Sequence, residues 1–256
     1  LVYNKTAASS VETFSQLIDY CHNYTVNDDN QNIEQLVSWD VSDMLVNYGL
    51  VCGSVTIGGE SGDDNTKLSA DKDLLKKSLT EFVKLRNEFG IVRTETTLDS
   101  CADLFAQGKL AYTITDVSHI NTIAESGISY GVCSIPALSD DMQIENISEN
   151  LCAFVNPYSS DVQTAKAVAN ALSYDYAAAV NSTTGLLSSR TISINSKEYK
   201  DTYGKIYEIY STADVKAKFM GAAYFYTKFD IMLHQVWDGT DIETSVNSFL
   251  SELKVQ

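Results

Sequence analysis

The sequence is poor in proline, in basic residues and in long apolar runs. Only two of its 256 residues are proline, and 18 Lys and Arg stand against 34 Asp and Glu, which gives a formal net charge of −16. This charge argues against a surface for nucleic acid or an anionic membrane. No apolar stretch approaches the ~20 residues of a membrane-spanning helix, and no signal-peptide pattern is visible. The composition therefore favours an exported, acidic, globular protein.

The cysteines also lack the spacing of a metal or redox motif. They are odd in number and form no CxxC or Cys/His pattern, so we expect no structural zinc site. We predict that they are free thiols, buried as small apolar side chains, rather than disulfides. They are Cys21, Cys52, Cys101, Cys133 and Cys152.

Motifs for catalysis or cofactor binding are missing as well. There is no G-x-S-x-G elbow, no P-loop and no dinucleotide fingerprint. The three histidines, His22, His119 and His234, lie in unrelated segments without a helical partner. Adjacent acids such as those at 28–29, 63–64 and 140–141 are typical of solvated loops. We therefore expect no enzyme, no cofactor and no metal site.

The hydrophobic pattern alternates between the helical period and short apolar runs, which favours the α/β class. The clearest helix covers residues 71–89 and ends at Gly90. Residues 53–65, rich in glycine and acids, predict a surface loop or hairpin. Further helices are predicted over residues 11–22, 33–48, 162–180, 199–210, 216–237 and 241–253, and strands over 110–114, 130–135 and 151–155.

Residues 104–136 are the most informative stretch. A helix end is closed by Gly108, a buried strand follows at 110–114, and a polar turn begins at Thr115. The next strand ends before Pro136. This order places a helix N-terminus at the carboxyl end of a buried strand, which is where open α/β sheets bind ligands.

The same stretch resembles the solute-binding proteins of ABC importers, of the maltose-binding-protein-like type. The residues that carry the resemblance are Phe105, Gly108, Lys109, Ala111, Tyr112, Ile114, Tyr130, Gly131, Val132 and Pro136. The opening LVYNKT, the segment 149–173, the loop TTGLLSSR at 183–190 and the closing helices at 222–253 are similar to the family in the same order. Ser188 departs from the proline usual in that loop. The family's first portion has no counterpart here.

The resemblance implies a two-lobe, periplasmic-binding-protein-like α/β fold, with one near-complete lobe and part of the other. Residues 1–146 would form the first part of the C-terminal-type lobe, 147–198 the remaining part of the N-terminal-type lobe, and 199–256 the helical completion of the former. The polar, aperiodic stretch at 138–148 would be a crossover between lobes. A separate chain supplying the missing N-terminal region is one possible partner.

The resemblance also implies a function. The chain would be the extracellular substrate-binding component of an ABC importer, would bind a carbohydrate such as an oligosaccharide by hinge closure, and would deliver it to a membrane permease. It would be a cell-surface lipoprotein or a periplasmic protein. A cell-surface carbohydrate-binding or adhesion module without transport is the alternative, and a hydrolase with scattered carboxylates is a third.

Sugar recognition needs apolar ring faces and planar polar groups. The turn residues Asp116, Ser118 and His119 could supply the polar groups, although Asp116 could equally cap the next helix. Ser118 stands where the family's maltodextrin binders carry tryptophan, which argues against a maltodextrin ligand. The resemblance adds Trp39, Tyr224 and Tyr226 as aromatic candidates, with core packing as the alternative for Tyr226, and Arg190 in the loop at 183–190.

Overall fold

The structure, a computed structural model, describes residues 1–139, 142, 144–188, 190 and 197–253, with the side chains of 197–200 outside this description. It is a mixed α/β fold, as predicted. The strands are β1 Val2–Asn4, β2 Gln35–Trp39, β3 Val55–Gly58, β4 Asp64–Ala70, β5 Leu110–Ile114, β6 Tyr130–Val132, β7 Ile147–Ser148 and β8 Asp214–Val215. The helices are α1 Phe14–Asn23, α2 Met44–Val51, α3 Lys72–Phe89, α4 Leu98–Ala106, α5 Ile120–Glu125, α6 Val162–Asn170, α7 Ala177–Thr184, α8 Lys197–Ser211, α9 Ala222–Trp237 and α10 Ile242–Leu253.

The main sheet has four strands in the order β2-β5-β1-β6. The pair β2 and β5 is parallel, whereas β1 runs antiparallel to both of its neighbours. Every residue of β5 is buried, as expected for a central strand covered on both faces. The predicted strand at 110–114 is confirmed.

The long helix α3 shows how local sequence sets an element. Asp71 caps its N-terminus by accepting from the backbone N–H groups of Asp73 and Leu74, and Gly90 ends it in the left-handed conformation at φ 65°. The buried residues Leu75, Leu79, Phe82 and Leu85 follow the 3.6-residue period. The prediction of a helix at 71–89 is therefore confirmed.

Two helix predictions need correction. Residues 33–48, predicted as one helix, divide into strand β2 and helix α2, because the apolar LVSW run pairs with β5 and Asp43 then caps a new helix. The helix predicted at 216–237 begins only at Ala222, after β8 and after Gly221 at φ 100°. The hairpin at 53–65 exists, formed by β3 and β4, although it extends to Ala70.

The main core lies between the sheet and the helices α3, α9 and α10. Its centre is aromatic: the ring centroids of Phe82 and Trp237 are 4.8 Å apart, and those of Phe229 and Phe249 are 5.4 Å apart. Helix α9 contributes one full stripe of buried residues to this core. None of the helices in the described part of the chain combines the length and the hydrophobicity of a membrane span.

Strands β7 and β8 form a separate two-stranded sheet outside the main one. These short strands pair in parallel, Ile147 with Asp214 and Ser148 with Val215. The strand predicted at 151–155 is wrong, because these residues form no regular secondary structure, and Leu151 and Phe154 are 79% and 88% exposed. Helix α6 has no buried residue. The predicted helical region at 162–180 is confirmed in outline, with a π-helical turn at residues 171–175 between α6 and α7.

The cysteines are all free, as predicted. Cys52 and Cys101 are buried, and burial raises the pKa of both thiols. Cys21 and Cys133 are only half-buried, and Cys152, in the stretch without regular structure, is exposed. The prediction of buried thiols is therefore confirmed at Cys52 and Cys101 and wrong at Cys152.

Candidate functional site

The candidate site lies at the carboxyl edge of β2 and β5. These parallel strands end side by side, with Trp39 paired to Ile114. The loops that follow them therefore leave the sheet at the same place, and each carries a carboxylate: Asp40 after β2 and Asp116 after β5. Loops at this edge of an open α/β sheet are the usual place for a ligand.

The turn after β5 is held by Asp116. Its Oδ1 accepts hydrogen bonds from the backbone N–H of Ser118 at 3.0 Å and from the Ser118 hydroxyl at 2.6 Å. The same oxygen lies 2.7 Å from Nδ1 of His119. Asp116 thus caps a short 3₁₀ turn over Val117–His119, as the capping alternative predicted.

His119 lies between two carboxylates. Its Nδ1 faces Asp116, and its Nε2 lies 3.0 Å from Oδ1 of Asp99 on α4. Burial acts to lower the pKa of His119, but the hydrogen bonds to Asp116 and Asp99 outweigh it, so the net pKa is raised. Burial likewise opposes ionisation of Asp116, yet its bonds to Ser118 and His119 leave the pKa of that carboxyl lowered. The two side chains form a charge-assisted pair.

More carboxylates face the same edge. Asp40 Oδ2 accepts from the backbone N–H of Leu98 at 3.1 Å, and Asp43 caps α2 through the N–H of Val46 at 2.8 Å. Burial raises the pKa of Asp43, and the proximity of Asp40 and Asp116 raises it further. Burial also raises the pKa of Asp230 on α9, with a smaller contribution from Asp43.

Few contacts within the chain offset the charge of the Asp230 carboxylate. Its Oδ1 lies 3.2 Å from Nε2 of His234, one turn along the helix, but neither atom makes an aligned hydrogen bond. The charge of Arg93 acts to lower the pKa of Asp230, but the Arg93 guanidinium donates its hydrogen bonds to the two carboxylate oxygens of Asp238. The edge of the sheet is therefore rich in hydrogen-bond acceptors, which suits a ligand that presents many donors, such as hydroxyl groups.

The loop at 183–190 packs against the turn after β5. Gly185 ends α7 at φ 71°, and a Cβ built there would lie 2.6 Å from the carbonyl oxygen of Ser118. Asn121 Nδ2 donates to the carbonyl oxygens of Asn181 and Ser182, at 3.3 and 3.2 Å. The structure thus brings this loop against Ser118, as the spacing alone could not show.

Arg190 does not join that contact. Its guanidinium donates to the carbonyl oxygen of Tyr174 at 2.9 Å and lies 4.2 Å from the centroid of the Tyr174 ring. Its role as a ligand-binding residue remains a prediction.

Two aromatic candidates are in the core. Trp39 has no exposed surface, and its ring packs against Phe14, Phe89 and Trp237. Trp39 therefore offers no exposed face to a ligand in this structure, and its role in binding stays a prediction. Tyr226 is 5% exposed and its hydroxyl accepts from the backbone N–H of Ala217 at 2.9 Å, so the core alternative describes it.

Tyr224 differs, being 40% exposed. Its hydroxyl lies 3.4 Å from Oε2 of Glu252 on α10, and Lys228 lies over its ring. The side chain of Tyr224 therefore contacts residues of α9 and α10. Its role in ligand binding stays a prediction.

The sequence reasoning missed Asp43, Asp99 and Asp230. Asp43 could have been found, because it follows the end of a strand in the same way as Asp116. It was missed because residues 33–48 were predicted as a helix. Asp99 and Asp230 come from helices distant in sequence, and only the packing of α4 and α9 brings them near. Within the described part of the chain, no cluster of His, Cys, Asp and Glu has the arrangement of a metal site.

A separate open cavity of about 380 Å³ lies beside strands β1 and β6. It is lined by Tyr3, Lys5, Tyr130, Gly131, Val132, Asp201, Thr202 and Lys205. None of the residues predicted to bind ligand lines it.

Comparison with known proteins supports the fold. No protein-family model and no curated protein matches the chain. Among solved structures, it is similar to the maltose-maltodextrin binding protein of Alicyclobacillus acidocaldarius, with a TM-score of 0.72 and 14% identity over 99% of this chain and 68% of that one. MalX from Streptococcus pneumoniae in complex with maltopentaose gives 0.71 and 14%, over 99% and 70%.

A third similar structure is the maltose/maltodextrin-binding domain MalE of Bdellovibrio bacteriovorus bound to maltotriose, with a TM-score of 0.69 and 14% identity over 99% of this chain and 70% of that one. The matches extend over nearly all of this chain and roughly two thirds of the others. The chain therefore has the α/β fold of the maltodextrin-binding solute-binding proteins and spans about two thirds of their length.

Proposed function

We propose that this protein is the carbohydrate-binding component of an ABC importer and that it acts without catalysis. The observation that carries the proposal is the carboxyl edge of β2 and β5, where two loops present Asp40, Asp43 and Asp116 side by side in a fold shared with sugar-binding proteins. An oligosaccharide offers many hydroxyl donors to such an edge. The protein would work outside the cytoplasmic membrane, either periplasmic or anchored as a lipoprotein, and pass its ligand to a membrane permease.

The proposed mechanism is closure of two lobes around the ligand. Residues 1–146 and 199–256 would belong to one lobe and 147–198 to the other. The packing of α8 supports the return at residue 199, because Tyr203 and Ile206 share an apolar cluster with Val2 and Leu110 of the main sheet. The ligand would bridge the lobes and stabilise the closed form over the open one.

The proposed binding residues are Asp116, Ser118 and His119, with Asp43 added from the structure. Asp116 and His119 hold each other in one orientation, so a hydroxyl would meet a preorganised acceptor. Arg190 and Tyr224 remain candidates at the margin. The loop at 183–190 is close enough to Ser118 for a ligand on this edge to touch both segments.

The test is calorimetry of the chain with maltotriose, maltopentaose and a panel of other mono- and oligosaccharides. We expect binding of at least one sugar and a loss of about tenfold or more in affinity for Asp116→Asn, since a charged acceptor is typically worth ~1–3 kcal/mol. Asp161→Asn is the matched control, because Asp161 also caps a helix, α6, but lies outside this edge.

The outcomes separate the site from the function. Failure of the whole panel to bind would overturn the proposed carbohydrate ligand. Binding that is equally strong in Asp116→Asn and Asp161→Asn would leave the function standing and remove the carboxyl edge as its site. New reducing ends after incubation with an oligosaccharide would identify a hydrolase instead.

A further inference from the structure

Within the described part of the chain, the hydrogen bonds of the Asp116 side chain all end on one of its two carboxylate oxygens. Oδ1 accepts from the backbone N–H groups of Ser118 and His119, at 3.0 and 3.4 Å, and from the Ser118 hydroxyl at 2.6 Å. Nδ1 of His119 lies 2.7 Å from the same oxygen. The side chain is 51% exposed, so Oδ2 is the acceptor that remains for a ligand hydroxyl.

The imidazole of His119 has a carboxylate at each nitrogen. While Nδ1 faces Asp116, Nε2 lies 3.0 Å from Oδ1 of Asp99 on α4. A carboxylate can only accept a hydrogen bond, and a neutral imidazole has a single N–H. Both contacts are therefore hydrogen bonds only when the ring is an imidazolium with a proton on each nitrogen. In a neutral ring, one nitrogen lone pair would face a carboxylate.

The other charged groups around the turn do not replace this pairing. Among the ion pairs of the described residues, His119 is the partner of both Asp99 and Asp116. Helix α5, which follows His119, carries one acid, Glu125, at its last residue, and α7, which packs against the turn, has no ionisable side chain. Asp43 adds negative charge near Asp116. The imidazolium is therefore the positive charge that balances this group of acids.

We propose that Asp99 is a positioning residue for ligand binding: its bond to Nε2 keeps His119 as an imidazolium, which in turn holds Asp116 with Oδ2 left for the ligand. Sugar binding should therefore weaken as the pH rises. The inference rests on the proposed function, because it concerns the same edge of the sheet. Asp99 acts through the ring and not by touching the ligand. Loss of the ring's charge loosens Asp116, and an acceptor that must be ordered on binding gives a lower affinity.

The direction of the pH effect follows from the sign of the shift. Burial acts to lower the pKa of His119, but the hydrogen bonds to Asp116 and Asp99 outweigh it, so the pKa is raised. The contribution of such a cation is fully present below its ordinary pKa and is lost as the pH rises through the folded value. The pKa of Asp116 is lowered despite burial, so this carboxyl stays ionised over the same range. Binding should be tighter at pH 6 than at pH 9.

The test is calorimetry with maltotriose at pH 6 and pH 9 on the wild type, Asp99→Asn and Asp103→Asn. Asp103 is the matched control, because it is an exposed acid one turn further along α4. In Asp99→Asn the new amide can donate to Nε2 of a neutral ring, so both contacts survive loss of the proton.

We expect the affinity to fall about two- to fivefold from pH 6 to pH 9 in the wild type and in Asp103→Asn, which is the range of a partly exposed charge pair. The affinity of Asp99→Asn should stay level, and Asp99→Glu, which keeps the charge, should restore the fall. Equal pH dependence in Asp99→Asn and Asp103→Asn would overturn the role of Asp99, as would a wild type whose affinity does not change.

A measurement without ligand separates this inference from the proposed function. Nitrogen NMR of the imidazole, assigned with His119→Gln, should show His119 titrating above the ordinary value of histidine in the wild type and in Asp103→Asn, and at lower pH in Asp99→Asn. The same titration midpoint in the two variants would refute the inference whatever the sugar affinities are. Absence of binding by every sugar of the panel would overturn the proposed function and, with it, the consequence for binding, while the charge state of His119 is decided by NMR alone.

Discussion

At the scale of single residues, burial decides which aromatic side chains can meet a ligand. Trp39 and Tyr226 match positions that the family resemblance assigns to ligand contact, yet they are 0% and 5% exposed. The hydroxyl of Tyr226 accepts from the backbone N–H of Ala217, which joins the start of α9 to the residues after β8. These side chains hold the core together rather than presenting a stacking face.

We predict that Tyr226→Phe lowers the free energy of unfolding by about 1–3 kcal/mol and leaves sugar affinity unchanged. The variant keeps the packed ring but leaves the N–H of Ala217 buried without an acceptor. Urea unfolding and calorimetry measure the two quantities. Tyr224→Phe is the control, and its stability should change by less than about 0.5 kcal/mol, because that hydroxyl is near the surface. A loss of affinity at unchanged stability in Tyr226→Phe would return this residue to the binding site.

At the scale of elements, the ends of helices set the site. Asp43 begins α2, Asp116 begins the turn before α5, and Gly185 ends α7 against that turn. Each of these residues satisfies backbone groups of its own helix and at the same time positions a loop at the carboxyl edge of the sheet. A change at such an end therefore acts on both stability and geometry.

We predict that Gly185→Ala destabilises the protein more than Gly90→Ala does. Both glycines end a helix in the left-handed conformation, at φ 71° and 65°, so alanine costs each about 1 kcal/mol of backbone strain. A Cβ at position 90 meets no atom within 4 Å, whereas at 185 it would strike the backbone of Ser118. Thermal unfolding of the two variants gives the comparison. Equal losses would show that α7 does not rest on the turn.

At the scale of the whole molecule, burial is uneven. The residues around β2 and β5 form a dense core, whereas the segment between β7 and β8 exposes many large apolar side chains. They include Leu151, Phe154, Tyr158, Val168, Leu172, Tyr174 and Tyr176. A segment of this size buries too little apolar surface to be stable by itself.

We predict that amide hydrogens in α6 exchange far faster than those in α3 when the chain is studied alone. Helix α6 has no buried residue, while α3 buries Leu75, Leu79, Phe82 and others. Local opening of α6 therefore exposes little and costs little free energy. Hydrogen–deuterium exchange read by mass spectrometry measures this difference. Equal protection would mean that the segment has a packing partner in solution.

Part of the fold could be read from the sequence with good reason. Helix α3 was predictable because its cap, its apolar period and its terminal glycine agree, and β5 because a short apolar run lies between a helix stop and a polar turn. The turn at Asp116 followed from the same logic. Strand β2 was missed because a run as short as QLVSW is ambiguous between helix and strand until a neighbouring strand pairs with it.

The sequence by itself determined the α/β class, the acidic surface, the free state of the cysteines and the polar turn after β5, because these depend on composition and on local periodicity. The tertiary structure alone decided that Asp43 and Asp99 lie near Asp116 and His119, and that Trp39 and Tyr226 are buried. Such contacts join residues far apart along the chain. The packing of whole helices on the sheet sets them, and no local pattern encodes it.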